Sequence, residues 1–176
     1  MEKMGKVLTY GAGPFYKRTG PQNEKIIHAA VISDTHGLLR ESVLAILKGC
    51  DVIIHGGDIN TRAIVNQLET IAPLYIVRGN NDKEWAMDLP VERRFSIGNL
   101  SCYMIHNKKE ASKTLDGVDL VIFGHSHKYF CEEVDGKVWL NPGSCGKRRF
   151  DQEITLALLT IGEEGWNIDK IVLPQE

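Results

Sequence analysis

The 176-residue sequence lacks the features that would place the chain in a membrane or in an oxidising compartment. No apolar run approaches the roughly 20 residues that a membrane-spanning helix needs, and the N-terminus lacks the apolar core of a secretory signal. The cysteines are scattered and form no C-x-x-C pair, which argues against a disulfide framework and against a thiolate zinc site. We therefore expect a cytoplasmic protein with reduced thiols.

The chain also lacks an excess of charge of either sign. Its 21 basic and 23 acidic residues are mixed throughout and give a net charge of −2. The overall field therefore gives no reason to expect binding to nucleic acid or to an anionic membrane.

The length allows one well-buried core and is too short for two ordinary domains. Residues 1–24 differ from the rest, because glycines and prolines interrupt any periodicity and lysines bias the charge. We predict a flexible N-terminal extension over 1–24 and one domain over 25–176. The alternative for 1–24 is an arm that packs on a neighbouring subunit, and a homo-oligomer, either a dimer or a tetramer, is left open.

The first half of the domain alternates between apolar runs and helical patterns. Strands are predicted at 26–33, 51–55 and 74–77, and helices at 40–48 and 62–71. The β-α-β-α-β order predicts parallel strands with right-handed crossovers, and the nearly continuous apolar strands fit burial on both faces.

The second half of the domain is rich in hairpins. Turn residues between apolar runs predict hairpins at 93–105, 130–140 and 154–172. A short helix (109–115) and a strand (119–123) are predicted between the first two. The predicted fold class is therefore mixed α/β.

Residues able to bind metal follow the predicted strands. His125 and His127 flank Ser126 directly after the strand at 119–123. In an extended segment, residues i and i+2 point to the same side, so two such imidazoles can converge on a metal ion. Ligands of open α/β sheets bind beyond the carboxyl ends of the strands, where further candidates lie. The full set predicted to converge is Asp34, His36, Asp58, Asn80, His106, His125 and His127.

This mixed oxygen and nitrogen set, without thiolates, suits Mn, Zn, Fe or Ni better than Ca or a dedicated Mg cage. Seven ligands are too many for one ion with open positions but suffice for two ions that share a carboxylate. Two such ions stabilise the entering and leaving oxygens of a displacement at phosphorus. We predict two divalent ions per chain, with Mn favoured and Ni, Zn, Fe or Mg as alternatives.

Simpler structural roles compete with this interpretation. Asp34 is a candidate N-cap for the helix at 40–48, whereas Asn60 or Thr61 is better placed than Asp58 to cap the helix at 62–71. His28 and His55 lie inside apolar strands, where we predict hydrogen-bonded core histidines rather than ligands.

Five short motifs occur in a fixed order, and they are Asp34-x-His36, Gly57-Asp58, Gly79-Asn80, His106 at a strand end, and Gly124-His125-Ser126-His127. In type and order they resemble the motifs of the calcineurin-like metallophosphoesterases. Their spacing and the segment 141–144 are similar to the small YfcE-type phosphodiesterase branch. The resemblance covers about residues 26–173 and implies a four-layer αββα sandwich.

By position, the resemblance implies that one ion is held by Asp34, His36, Asp58 and His127. The other ion would be held by Asp58, Asn80, His106 and His125, with Asp58 bridging. The implied activity is hydrolysis of a small phosphodiester through a metal-bridging hydroxide, with Asp58, Asn80 and His125 as catalytic residues. Many relatives carry a histidine after the motif asparagine, whereas this chain has Asn81, which supplies no proton near pH 7.

The main alternative is a protein-interaction scaffold. A retromer scaffold subunit shares the implied fold but has lost metal-site residues. This chain keeps Asp58 and the four candidate imidazoles, which a scaffold does not need, so the sequence favours an enzyme. A phosphomonoesterase or nucleotide phosphatase would differ only in pocket contacts.

Overall fold

The structure, a computed structural model, describes residues 8–9, 13, 15–17, 25–149 and 151–175. Most of the predicted extension lies outside the described residues, so its flexibility stays a prediction. No helix in the described ranges is long and apolar enough to cross a membrane. In chain order the described strands and α-helices are β1 (Leu8–Thr9), β2 (Phe15–Lys17), β3 (Ile27–Ile32), α1 (Glu41–Leu47), β4 (Val52–His55), α2 (Arg62–Glu69), β5 (Leu74–Ile76), β6 (Glu92–Ile97), β7 (Leu100–Ile105), β8 (Leu120–Ile122), β9 (Tyr129–Val134), β10 (Lys137–Pro142), β11 (Thr155–Ile161) and β12 (Gly165–Val172).

These strands form two sheets. In the first sheet, the order is β1-β12-β11-β3-β4-β5, and β2 also pairs with β12. β3, β4 and β5 are parallel, which confirms the predicted β-α-β-α-β unit. In the second sheet, the order is β6-β7-β8-β10-β9, in which β8 runs parallel to β7 and β10. The three predicted hairpins are confirmed as β6–β7, β9–β10 and β11–β12.

The main core lies between the two sheets, and alternation along β3 shows why. Ala29 and Val31 pack in the cluster between the sheets, whereas Ala30 and Ile32 pack against the helices. Helix α2 buries Ile64, Val65 and Leu68 on that helical face. The mixed α/β fold and the single domain predicted from the sequence are confirmed.

Helix α2 is capped by Thr61, one of the two residues predicted for this role. The Thr61 side chain accepts a hydrogen bond from the Ile64 amide (3.4 Å). Such a cap satisfies one of the amide donors that a helix leaves unpaired in its first turn.

The predicted helix at 109–115 is wrong. Only one turn of 3-10 helix forms there, at Lys108–Glu110. Instead, the Thr114 amide donates a hydrogen bond to the Ser112 hydroxyl (3.2 Å). Serine and threonine that bond locally in this way compete with helix formation. Leu115 and Val118 still pack on the outer face of the second sheet and form its covering layer.

The prediction of a core position for His28 is also wrong. His28 is exposed, whereas His55 is fully buried as predicted. His28 is paired with Thr160 of β11, and its side chain lies on the same face of β3 as Ala30 and Ile32, which pack against the helices. His28 therefore lies near the amino end of β3, before the part of this face that the helices cover.

Candidate metal centre

The seven predicted ligands lie at the carboxyl ends of five strands. Asp34 and His36 follow β3, Asp58 follows β4, and Asn80 follows β5. On the second sheet, His106 follows β7, and the two motif histidines at 125 and 127 follow β8. Because these ends meet at one edge of the sandwich, the folded chain brings the loops together.

The loops adopt unusual backbone conformations. Five of the seven candidate ligands have positive φ although none is glycine, and they are Asp34 (54°), His36 (44°), Asp58 (57°), His125 (73°) and His127 (61°). Left-handed backbone costs a non-glycine residue roughly 1 kcal/mol or more, and clusters of it occur at functional sites. Loop-to-loop hydrogen bonds hold these conformations: the Asp34 amide donates to the Gly57 carbonyl and the His36 amide to the Asp58 carbonyl, both at 3.0 Å.

One group of candidate ligands comprises Asp34, His36 and His127, all buried. The Asp34 Oδ1 atom lies 3.2 Å from His127 Nε2 and 3.7 Å from His36 Nε2. The two imidazole Nε2 atoms are 3.1 Å apart. Three donor atoms therefore converge on one point.

A second group comprises Asp34, Asp58 and His106, also buried. Nε2 of His106 lies 3.3 Å from Asp58 Oδ2 and 3.9 Å from Asp34 Oδ1. Asp34 thus belongs to both groups. Asp58 Oδ2 also lies 3.7 Å from His36 Nε2, so this carboxylate faces both groups as well.

Asn80 and His125 lie at the exposed side of the second group. His125 Nδ1 is 3.1 Å from Asn80 Oδ1, and because an amide oxygen only accepts, the imidazole donates. The rings of His125 and His106 meet edge to face, with centroids 5.3 Å apart. Contacts therefore connect all seven predicted side chains.

Two atoms at this centre suit a cation. Asp34 Oδ1 and His106 Nε2 are buried and have no hydrogen-bond partner. Their companion atoms are engaged: Asp34 Oδ2 accepts from the Ser33 hydroxyl (2.6 Å), and His106 Nδ1 donates to the Gly56 carbonyl (2.8 Å). An imidazole fixed through one nitrogen presents the lone pair of the other, as metal-binding histidines do. The residues therefore fit a divalent ion.

The electrostatics also favour positive charge at this point. Burial raises the pKa of Asp34, but the nearby imidazoles of His127 and His36 outweigh burial and hold that pKa below its ordinary value. Burial likewise raises the pKa of Asp58, but His106 and Asn81 lower it to about 2. Burial lowers the pKa of His106, whereas Asp58 and Asp34 raise it above its ordinary value. Both carboxylates therefore stay ionised and attract a cation.

Sequence reasoning missed the supporting role of Asp82. Buried Asp82 accepts amide hydrogen bonds from Ile59 (2.9 Å), Asn60 (2.8 Å) and Gly79 (2.8 Å), and so ties the Asp58 loop to the Asn80 loop. Its signal in the sequence is an aspartate three residues after Gly79.

Asn141 supports the loop that carries the two motif histidines. Its side-chain amide donates to the Gly124 carbonyl and to the Ser126 hydroxyl, both at 3.0 Å. The Ser144 hydroxyl donates to the Asp34 carbonyl (2.9 Å). The segment that contains both residues therefore forms the floor of the centre.

Asn81 acts on Asp58 rather than on the open side of the centre. Its backbone amide donates to Asp58 Oδ1 (2.9 Å), and its side-chain amide donates to Asp58 Oδ2 (2.8 Å). The residue therefore orients the carboxylate that faces both ligand groups.

Buried His55 is held neutral beneath the centre. The Gly57 amide donates to His55 Nδ1 (3.1 Å), so the proton lies on Nε2, which donates to Thr35 Oγ1 (3.0 Å). Burial lowers the pKa of His55 to about 4. Protonation would remove the acceptor that Gly57 needs.

This residue predicts a pH dependence of stability. Because the folded-state pKa of about 4 lies below the ordinary value, the unfolded state binds the proton first as pH falls. The contribution of neutral His55 to the free energy of unfolding is fully present above about pH 6.5. It is lost as the pH falls to 4, by up to about 3 kcal/mol. Urea unfolding of metal-free protein should show a shallower decline for His55→Gln than for wild type. Parallel curves over this range would contradict the assignment.

Comparison with known proteins identifies relatives over most of the chain. The family model of the calcineurin-like phosphoesterase superfamily domain matches residues 27–164. A probable metallophosphoesterase of Methanothermobacter thermautotrophicus is 32% identical over 148 residues, which are 76% of this chain and 86% of that protein. A phosphodiesterase of Methanocaldococcus jannaschii is 29% identical over 65% of this chain and 82% of its own length.

A solved structure supports the same fold. Vps29 of Entamoeba histolytica, crystallised in complex with Zn²⁺, superposes with a TM-score of 0.69 at 24% identity. The match covers 85% of this chain and 94% of that chain. At this identity the likeness shows the fold alone.

Proposed function

The chain belongs to the calcineurin-like phosphoesterase superfamily, and we propose that it is a phosphodiesterase that works with two divalent metal ions. The observation that carries the proposal is the pair of buried, unsatisfied atoms Asp34 Oδ1 and His106 Nε2, which face other donor atoms at the strand ends. Unpaired polar atoms are costly to bury unless a ligand satisfies them.

The proposed ligand sets follow the sequence motifs. One ion would be held by Asp34, His36, Asp58 and His127, and the other by Asp58, Asn80, His106 and His125. When bound, two such ions supply Lewis-acid stabilisation of phosphoryl oxygens and a water-derived nucleophile near neutral pH, and Mn is the ion we favour. A small substrate and a cytoplasmic location are part of the same proposal.

The residues of the chain contribute binding and orientation. Asp58 faces both ligand groups, and Asn81 fixes both of its oxygens. Exposed Asn80 and His125 lie where a substrate can approach, and their mutual hydrogen bond orients the imidazole. Cys145 is not a nucleophile in this proposal, because burial raises the pKa of its thiol to about 12.

Specificity for diesters is the finer part of the proposal. Its support is the similarity to a protein named a phosphodiesterase, which this chain covers over most of its length. The scaffold alternative draws on the fold shared with Vps29. The enzyme is favoured because all seven candidate ligands are retained and brought into contact.

A metal-reconstitution assay tests the proposal. Chelator-stripped protein, reloaded separately with Mn, Ni, Mg or Zn, would be assayed against aryl phosphodiesters, aryl phosphomonoesters and cyclic nucleotides. We expect two ions per chain by elemental analysis, hydrolysis only after reloading, and preference for diesters. Ion binding without hydrolysis of any ester would favour the scaffold, and faster turnover of monoesters would overturn the diester specificity.

A further inference from the structure

A cavity of about 220 Å³ adjoins the candidate metal centre on the side of Asn80, His106 and His125. Its lining also includes Arg78 and the apolar residues Val91 and Ile105. The cavity is smaller than the roughly 300–1,000 Å³ of pockets for drug-sized ligands. It therefore has room for one arm of a substrate whose phosphate lies at the metal centre.

The backbone of Arg78 is fixed between two anchored positions. Its amide donates to the Pro90 carbonyl (2.9 Å), and the next amide, that of Gly79, donates to Asp82 Oδ2 (2.8 Å). Arg78 thus leaves the main chain two residues before Asn80, at a position set by the same supports as the candidate ligand.

The guanidinium of Arg78 keeps most of its hydrogen-bonding capacity. It donates to the thioether sulfur of Met87 (3.2 Å), which is a weak acceptor, and within the described ranges it makes no ion pair. Arg62, by contrast, pairs with Asp88. Arg78 is also the one lysine or arginine in the cavity lining. Arg78 lines the cavity as a residue, and its guanidinium is a group that suits the oxygens of a phosphate, which it can bind in pairs.

We propose that Arg78 is a substrate-binding residue whose guanidinium binds the phosphate of a phosphodiester, while one ester group lies against Val91 and Ile105. This inference rests on the proposed function and names the part of the chain that recognises the substrate. Glu110, which lines the same cavity, adds charge selection. Its carboxylate disfavours a second negative charge, which phosphomonoesters carry above about pH 6 and diesters do not.

Binding of non-hydrolysable anions tests the proposal without turnover. Diphenylphosphinate represents a monoanionic diester, and phenylphosphonate represents a dianionic monoester. Each would be titrated by calorimetry into metal-loaded protein at pH 8, with metal content measured in parallel. Arg78→Met removes the charge and keeps an unbranched apolar stem, and Arg78→Lys keeps the charge without the paired donors. Arg94→Met is a control on β6 outside the cavity.

We expect Arg78→Met to weaken phosphinate binding by roughly 10- to 100-fold, with an intermediate loss for Arg78→Lys and none for Arg94→Met. Glu110→Gln should strengthen phosphonate binding several-fold more than phosphinate binding. Any of three results would overturn the proposal. They are unchanged phosphinate binding by Arg78→Met, loss of metal ions from Arg78→Met, and absence of phosphinate binding by the wild-type protein.

The two proposals fail separately. Phosphinate binding that depends on Arg78, in a protein that hydrolyses no ester, would overturn the proposed function and leave this inference standing. If Arg78→Met alters neither hydrolysis nor phosphinate binding, the role of Arg78 is overturned and the proposed function stands.

Discussion

Replacement of Asp58 by asparagine is expected to reduce phosphodiester hydrolysis by at least about 10³-fold and to leave the fold intact. The Asp58 carboxylate faces both ligand groups, with Oδ2 at 3.3 Å from His106 Nε2 and 3.7 Å from His36 Nε2. A neutral amide of the same shape attracts two cations poorly. The loss should appear in kcat/KM and in the number of ions retained per chain.

Asp116→Asn is the matched control. Asp116 is exposed and lies before the amino end of β8, opposite the edge that carries the candidate centre. We expect this variant to keep two ions and wild-type turnover. Circular dichroism should show that both variants retain the native spectrum. Full activity of Asp58→Asn would contradict the assignment of Asp58 as a metal ligand.

The grouping of the candidate ligands could be predicted because they follow strands that are easily recognised in the sequence. The apolar runs of β3, β4 and β5 are continuous, and their parallel arrangement follows from the helices between them. Once the strands are parallel, their carboxyl ends share one edge. The residue types that follow each run then predict what the edge can bind.

The supports of the centre depend on contacts that no local pattern encodes. Asp82 binds amides of Ile59 and Asn60, more than 20 positions away along the chain. The left-handed backbone of Asp34 and Asp58 is likewise fixed by hydrogen bonds between loops. Propensity alone would have placed glycine or asparagine at such positions.

The two errors in the secondary elements have local causes. The spacing of apolar residues near Leu115 is compatible with a helix, but hydrogen bonds between Ser112 and Thr114 close a tighter turn. The hydrophobic run of β3 suggested burial along its whole length. It did not reveal that, on the face of His28, the helices cover β3 only from Ala30 onward.

Gly79→Ala is expected to disable the centre through packing alone, without removing any donor atom. A Cβ atom at this position would lie 2.1 Å from Asp58 Oδ1 and 2.5 Å from the Asp58 amide nitrogen. The Asp58 side chain cannot shift freely, because both of its carboxylate oxygens accept hydrogen bonds from Asn81. The loop that carries Asn80 or the Asp58 carboxylate must therefore move.

That displacement should weaken metal binding by about 10- to 100-fold, the range typical of disturbed ligand supports, and lower kcat/KM at least as much. Overpacking should also destabilise the metal-free protein by roughly 1–3 kcal/mol. Gly49→Ala is the control, since its added Cβ would meet the Ile46 carbonyl oxygen at an ordinary 3.5 Å. Metal titration followed by calorimetry, with urea unfolding of both variants, separates the two effects. Wild-type metal affinity in Gly79→Ala would contradict this prediction. It would show that metal binding does not require the present close approach of the Asp58 and Asn80 loops.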